Sequence, residues 1–362
     1  MKILRLSGLI LFAATAGGCS DGPADRAAGE VDTIAAAIQQ RNAQELNGAR
    51  INGARINGAR INGIQAGATF TIDSVPGPLR VIRTDTGRRI TGDGLVGAQF
   101  WVSSSPEVLA RVVVTGYQRI AGLKGNLDAY VIAAADTGQS ICGYDGSGAA
   151  VPAVPIDYVF DPITGDEISD SEHFTFACRG GAIEKCLEWG YPKWETAPET
   201  FGGVTQTRSL SSYHAACVHM VRADYCGDGV PHTFTGTVID VLDNLGIEVQ
   251  TTSAGRSGWY QEAEWDSSGA WCINNTRWMP RQLGGTLAAN QSSQNPDWAY
   301  VQQNCPWRIA GNPWPGNPDG TGAPHPCVDD SSYYPRNAFT WPDQSVRSGL
   351  RNHTMLYQFD SK

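Results

Sequence analysis

The spacing of hydrophobic and polar positions changes several times along the chain, and each change marks a different kind of segment. Leu46, Ile51, Ile56 and Ile61 recur every five residues in LNGAR-INGAR-INGAR-INGIQ. That period fits neither a helix at 3.6 nor a strand at 2. From Ala68 onward, short runs rich in Val, Ile, Phe and Thr occupy 68–73, 79–84, 98–103, 110–120 and 127–136. Pro76-Gly77-Pro78, Asp85-Thr86-Gly87 and Gly92-Asp93-Gly94 separate the first of them. Such spacing predicts an antiparallel sheet, folded as a sandwich or small barrel. Helical spacing then appears: Gly180 to Glu188 ends at Gly190, a helix stop signal, and Ser211 or Ser212 can cap a second helix running to about Tyr225. On that helix Tyr213, Cys217, Met220, Val221 and Asp224 share one face. Residues 283–362 show little periodicity, and Asn312 to Pro318 is Pro/Gly-rich loop. The fold class expected is α+β and β-rich: an antiparallel sheet or small barrel, then disulfide-braced short helices and a loop-rich C-terminal tail.

The start of the chain reads as a targeting segment. Lys2 and Arg5 precede an apolar stretch from Leu6 to Ala16, too short to span a bilayer. Ala16-Gly17-Gly18-Cys19 follows and resembles the lipobox of bacterial lipoproteins, which implies a lipidated Cys19 and removal of residues 1–18. Ser20 after that cysteine favours the outer membrane or cell surface over inner-membrane retention. Residues 19–45 read as a lipid-anchored tether, and 46–65 as a pentapeptide-like repeat. The repeat suits either one coil of a β-helix or a duplicated flexible spacer, and the spacer is the expectation adopted. The main domain is expected over 66–282, β-rich over 66–142 and α+β over 143–282, with a Trp/Pro/Gly extension over 283–362.

Charge narrows the partners. Losing residues 1–18 removes Lys2 and Arg5 and no acid, leaving 25 basic against 36 acidic side chains, a formal charge of −11. An acidic surface repels phosphate backbones, so nucleic acid is not an expected partner. The membrane, reached through the N-terminal lipid, is one; a glycan or envelope protein is the other.

Besides Cys19 the chain has Cys142, Cys178, Cys186, Cys217, Cys226, Cys272, Cys305 and Cys327. An even set in an exported chain reads as disulfides. If the second helix is continuous, Cys226 lies about 13 Å beyond Cys217, at 1.5 Å rise per residue. Bridged Cα atoms sit within about 7 Å, so those two do not pair. Cys178 with Cys186 meets the same objection. Cross-bridging of the two helices, to each other or to flanking strands, is the economical solution. Cys305 with Cys327 is the pair expected to close the C-terminal loop.

The residues around Cys226 carry a family resemblance. Arg222-Ala223-Asp224-Tyr225-Cys226-Gly227-Asp228-Gly229, with Ala216-Cys217, Phe176-Ala177-Cys178 and Lys185-Cys186 upstream, resembles the ADYC domain of exported bacterial proteins, notably of myxobacteria. His232-Thr233, Ile239-Asp240, Glu262 to Trp265 and Gly269 to Cys272 are similar too, so the resemblance covers roughly 68–282. It implies architecture and an extracytoplasmic location, and carries over no catalytic residue.

Candidate chemistry is sparse. Asp224, Asp228 and Gly229 imitate the start of a calcium loop, but position three is Cys226 and position twelve is Thr235, so a helix-ending turn is the better reading. His214 and His219 are five apart and lack the spacing of a zinc-binding helix; no metal and no cofactor is expected. Glu262 and Glu264, with Asp266 close by, share a strand face and could form an acid/base pair for sugar hydrolysis. The catalytic candidates are therefore Asp224, Asp228, His232, Glu262 and Glu264. A serine nucleophile elbow is absent: Gly255-Arg256-Ser257-Gly258 places its second glycine one position early. Eight of the eleven tryptophans follow residue 258, which makes either a sugar-stacking platform or cover for a core poor in aliphatic side chains. The expected function is a cell-envelope surface lipoprotein with a disulfide-stabilised binding or structural module, and the alternative is an extracytoplasmic hydrolase acting on glycan or peptide.

Overall fold

A computed structural model of the chain describes residues 44–46, 59–65, 68–73, 79–105, 108–156, 159–160, 167–168, 173–201, 204–233, 238–248, 259–277, 295–309 and 350–355. Residues 1–18, Cys19, most of the tether and repeat, Cys327 and Trp314 lie outside them. The strands in chain order are β1 (Gln44–Leu46), β2 (Ala59–Gln65), β3 (Ala68–Ile72), β4 (Val81–Arg83), β5 (Arg89–Ile90), β6 (Gln99–Ser105), β7 (Val108–Ile120), β8 (Leu127–Ala134) and β9 (Ala153–Ile156). They continue with β10 (Val159–Phe160), β11 (Glu167–Ile168), β12 (His173–Cys178), β13 (Thr196–Phe201), β14 (Val204–Ser209), β15 (Val238–Leu242), β16 (Trp259–Asp266), β17 (Gly269–Ile273) and β18 (Leu350–Met355). The helices are α1 (Ala182–Glu188), α2 (Ser211–Arg222) and α3 (Pro296–Asn304).

The runs predicted from Ala68 to Asp136 become β3, β4, β6, β7 and β8, and the last three join β2, β9 and β12 in a closed antiparallel barrel. Strand order is β2-β6-β7-β8-β9-β12, and β12 pairs back onto β2 through His173↔Arg60 and Phe174↔Ala59. β3, β4 and β5 extend from β2 along the same sheet. Alternation directs Phe100, Val112, Val114, Tyr130, Ile132, Phe174 and Phe176 inward, all buried. Phe70, Phe100, Phe174 and Phe176 meet edge-to-face with centroids 4.8–5.5 Å apart, the arrangement their ring quadrupoles favour.

β2 corrects the expectation of a spacer with a domain boundary at 66. The last repeat unit is a barrel strand. Gly63 pairs with both Phe70 and Phe100, and the register against β6 shifts between Ala59 and Gly63. The five-residue period and the Asn-Gly pair concealed it. A bulge accommodates the mismatch, because a ladder requires backbone N–H and C=O groups and not side-chain periodicity.

Beside the barrel stands an antiparallel sheet in the order β1-β15-β18-β16-β17, with α2 packed on β16, β17 and β18, and α1 on α2. The two cores share a wall. On β12, Phe174 and Phe176 face the barrel and Ala177 the second core; on β9, Ala153 faces the barrel and Val154 and Ile156 the second core. β9 is accordingly buried at all four residues.

Disulfides follow the cross-bridging expected of the helices. Cys186–Cys217 joins α1 to α2 with Cα atoms 5.8 Å apart, and Cys142–Cys178 ties the connection after β8 to the end of β12 at 5.5 Å. The expected Cys305–Cys327 pair is not formed. Cys305 bonds Cys226 at 5.6 Å, because α3 carries it onto the turn after α2 while sequence proximity alone had suggested its neighbour. Cys272 is disulfide-bonded as well. Within the tail, the described residues 295–309 and 350–355 include a helix and a strand that its lack of periodicity did not predict. Asn295 caps α3 by accepting from Asp297 N and Trp298 N, with Pro296 at the first turn. β18 lies between β15 and β16.

Candidate functional site

The signature residues sit where α2 stops. The helix ends at Arg222, three residues earlier than Tyr225, because Ala223 turns left-handed at φ 54° and ψ 40°. Its N–H donates to Met220 O, and that of Asp224 to His219 O, a Schellman arrangement that satisfies two end carbonyls. At the start of the helix Leu210 holds the capping position, where Ser211 or Ser212 was expected.

Asp224 is fully buried beneath the turn. Its Oδ1 accepts from Asp228 N at 3.1 Å, and its Oδ2 from Gly229 N at 3.0 Å. His219 Nδ1 lies 3.1 Å from Oδ2, and Arg222 Nη1 donates to it at 3.4 Å. Arg222 Nη2 also donates to Gly229 O. The carboxylate thus organises the loop that follows it, as the turn reading anticipated. Gly227 is held at φ +69°, and a Cβ there would lie 1.9 Å from Ser268 O, so no side chain fits.

Tyr225 points into the second core and stacks on Trp265 at 5.4 Å. Its hydroxyl accepts from Arg277 N and donates to Glu262 Oε1 at 3.1 Å. Burial first, then the Glu262 carboxylate, hold the phenol well above its ordinary pKa, so it remains a donor. Glu262 and Arg277 form a fully buried ion pair, with Nε and Nη2 both on the carboxylate. The remaining N–H groups of Arg277 reach Met220 O at 2.6 Å, Val221 O at 3.0 Å and Thr233 Oγ1 at 3.3 Å. One guanidinium therefore neutralises an acid and caps the last carbonyls of α2.

α3 closes over this turn from outside. Cys226–Cys305 fastens its end, Tyr300 Oη donates to Asp228 Oδ2 at 2.8 Å, and Asp297 Oδ1 lies 2.8 Å from His232 Nδ1. The His232 ring sits 5.7 Å from Tyr225 and 4.7 Å from Tyr300. Asp297 fixes the ring tautomer, but the buried Nε2 holds no hydrogen bond to a hydroxyl or thiol among the described residues.

Asp224, Asp228, His232 and Glu262 thus gather around Tyr225, while Glu264 is buried further along β16. Asp266 accepts from Ser268 in the β16–β17 turn. His214 is apart from them: its Nδ1 lies 2.9 Å from Tyr191 O, and burial lowers its pKa to about 4. Among the described residues no group of three or more His, Cys, Asp and Glu is placed to hold a metal ion. Of the late tryptophans, Trp265 and Trp298 are core and Trp307 is 38 % exposed. Sequence reasoning missed Arg277, which has no local signal, and Asp297 and Tyr300. Asn295-Pro296-Asp297 is a helix-start pattern that could have revealed the last two.

A second feature is a cleft of about 100 Å³ between the β7–β8 turn and the loop after α1, lined among others by Lys124, Asn126, Asp128, Pro155, Trp194 and Glu195. Lys124 Nζ donates to Thr196 O at 3.2 Å and lies 3.8 Å from Glu195; Asp128 accepts from Tyr117 Oη at 2.7 Å.

No curated protein and no solved structure matches the chain. The ADYC domain family matches residues 92–279, just over half of its length. That interval holds α1, α2, the signature turn, Glu262 and Arg277, and stops short of α3. The chain belongs to the ADYC domain family.

Proposed function

We propose that this chain is an exported, lipid-anchored envelope protein whose ADYC domain is a rigid binding module and not a hydrolase. One observation carries the reading: the signature's polar groups face inward and are occupied by structural hydrogen bonds. Both Asp224 oxygens accept from the turn's own backbone, and Glu262 is paired with Arg277 at 0 % exposure. A general acid or base has to reach substrate, and these carboxylates face the core. The disulfides support an oxidising compartment. Among the described residues no helix is long and apolar enough to cross a membrane, and a Cys19 lipid would supply the attachment.

The cleft beside Trp194 is the binding surface we assign. Trp194 shares the lining with Asn126, Asp128 and Lys124, a mix of aromatic and polar groups that suits a sugar ring, which presents C–H groups to an aromatic and hydroxyls to polar neighbours. The test is an envelope-glycan array probed with the mature chain and with Trp194→Ala and Trp307→Ala variants. Binding that Trp194→Ala abolishes and Trp307→Ala leaves intact supports the assignment; no binding, or loss only with Trp307→Ala, overturns it. Glycan cleavage that disappears in Glu262→Gln would favour the hydrolase.

A further inference from the structure

The barrel strand β2 is the last of several near-identical units, and this has a consequence for register. Its sequence is Ala59-Arg60-Ile61-Asn62-Gly63-Ile64-Gln65. Five residues upstream stands Ala54-Arg55-Ile56-Asn57-Gly58-Ala59-Arg60, and ten upstream Ala49-Arg50-Ile51-Asn52-Gly53-Ala54-Arg55. The β2 ladder uses Ala59, Arg60, Gly63, Ile64 and Gln65 to meet β3, β6 and β12. Sliding the chain by one unit returns Ala, Arg and Gly to the first three of these positions and changes only the last two.

We propose that the repeat is a register-shifting device: the β2 slot of the barrel accepts the unit Ala54–Arg60 as an alternative occupant to Ala59–Gln65. A one-residue slip in a half-buried strand normally turns every side chain to the wrong face. A five-residue slip in a five-residue repeat escapes most of that penalty, because Ala, Arg, Ile, Asn and Gly return to their positions and only Ile64 and Gln65 give way, to Ala59 and Arg60. The chain connections set the balance. Residues 47–58 join β1 to β2, and residues 66–67 join β2 to β3. A slip shortens the first connection to seven residues and lengthens the second to seven. Loop-closure entropy then disfavours the slipped register only roughly threefold. The connections therefore favour the described register, with the slipped one only about threefold behind it in loop entropy.

Gly63→Pro tests this on the mature chain, because proline removes a ladder N–H in the middle of a central strand. Where the strand can slip, the substituted position moves into the β2–β3 loop and Gly58 takes its place in the ladder. The Gly63→Pro variant should then lose only about 3 °C in Tm, whereas Gly53→Pro/Gly58→Pro/Gly63→Pro should lose about 10 °C or more. Gly53→Pro/Gly58→Pro should melt like the parent chain. Hydrogen exchange on Gly63→Pro should show residues 54–58 newly protected. Equal losses in the single and triple variants would overturn the proposal. So would a rescue that depends on protein concentration, which would mean that a second copy supplies the strand.

Discussion

Replacing Arg277 with Met isolates the largest polar commitment in the second core. The change removes the guanidinium that engages Glu262, the Met220 and Val221 carbonyls and the Thr233 hydroxyl. It leaves a buried carboxylate held by Tyr225, a Val221 carbonyl without its Arg277 donor, and a Met220 carbonyl with the Ala223 N–H in place of two donors. Removing one partner of a buried pair costs about 3–5 kcal/mol, whereas an exposed pair costs about 1 kcal/mol or less. Both side chains here are at most 1 % exposed, so the larger figure applies. In urea, with a slope of about 3 kcal/mol/M for a chain of this size, the unfolding midpoint should fall by more than about 1 M. Glu262→Gln in the Arg277→Met background removes the stranded charge, and should restore about 2 kcal/mol, leaving the deficit at the α2 carbonyls. The measurement is equilibrium unfolding followed by Trp fluorescence and circular dichroism. A single variant within about 1 kcal/mol of the parent, or a double variant no better than the single, would refute the view that this pair anchors the end of α2.

Other outcomes are expected. Gly227→Ala forces a Cβ against Ser268 O and strains a left-handed residue; it should lower stability by about 2–4 kcal/mol, read from the urea midpoint. Non-reducing proteolysis and mass spectrometry should recover a peptide linking Cys226 to Cys305; a Cys305–Cys327 peptide in its place would overturn the topology of α3. His214 is neutral when folded, with a pKa of about 4 against 6.5 unfolded, so the stability it contributes is full above pH 6.5 and is lost as pH falls toward 4. Melting curves across that window should show a loss of about 3 kcal/mol that His214→Gln reduces. Glu184 has the opposite sign. Burial, then the neighbouring Glu188, raise its folded pKa, so its contribution is complete below about pH 4.5 and is lost as pH rises. Glu184→Gln should therefore flatten the decline toward alkaline pH.

The sequence was informative wherever one local rule acted alone. Alternation between Ala68 and Asp136 predicted five strands, three of which (β6, β7 and β8) stand in the barrel ring, and helix rise argued against the Cys217–Cys226 bridge. It was uninformative where a residue's role depends on distant chain. Arg277 stands in an aperiodic stretch, and only the fold brings it to the α2 carbonyls 56 and 57 residues earlier. Cys305 finds Cys226 across 79 residues because α3 crosses the signature turn, a path that no spacing encodes. The repeat misled for a different reason: its period reports duplication, while its last unit answers to the barrel's backbone ladder.

The closed ladder has a practical bearing on how the family's boundaries are used. The family match begins at residue 92, inside the barrel, whereas β2 lies at 59–65. A gene fragment trimmed to 92–279 would leave β6 and β12 with bare edges in place of their shared neighbour. Unpaired edges of that kind recruit other chains and aggregate. The smallest piece of this protein worth expressing therefore starts no later than Gln44 and runs through Met355, so that β1 and β18 keep β15 and β16 paired and Cys226 keeps Cys305 as its partner.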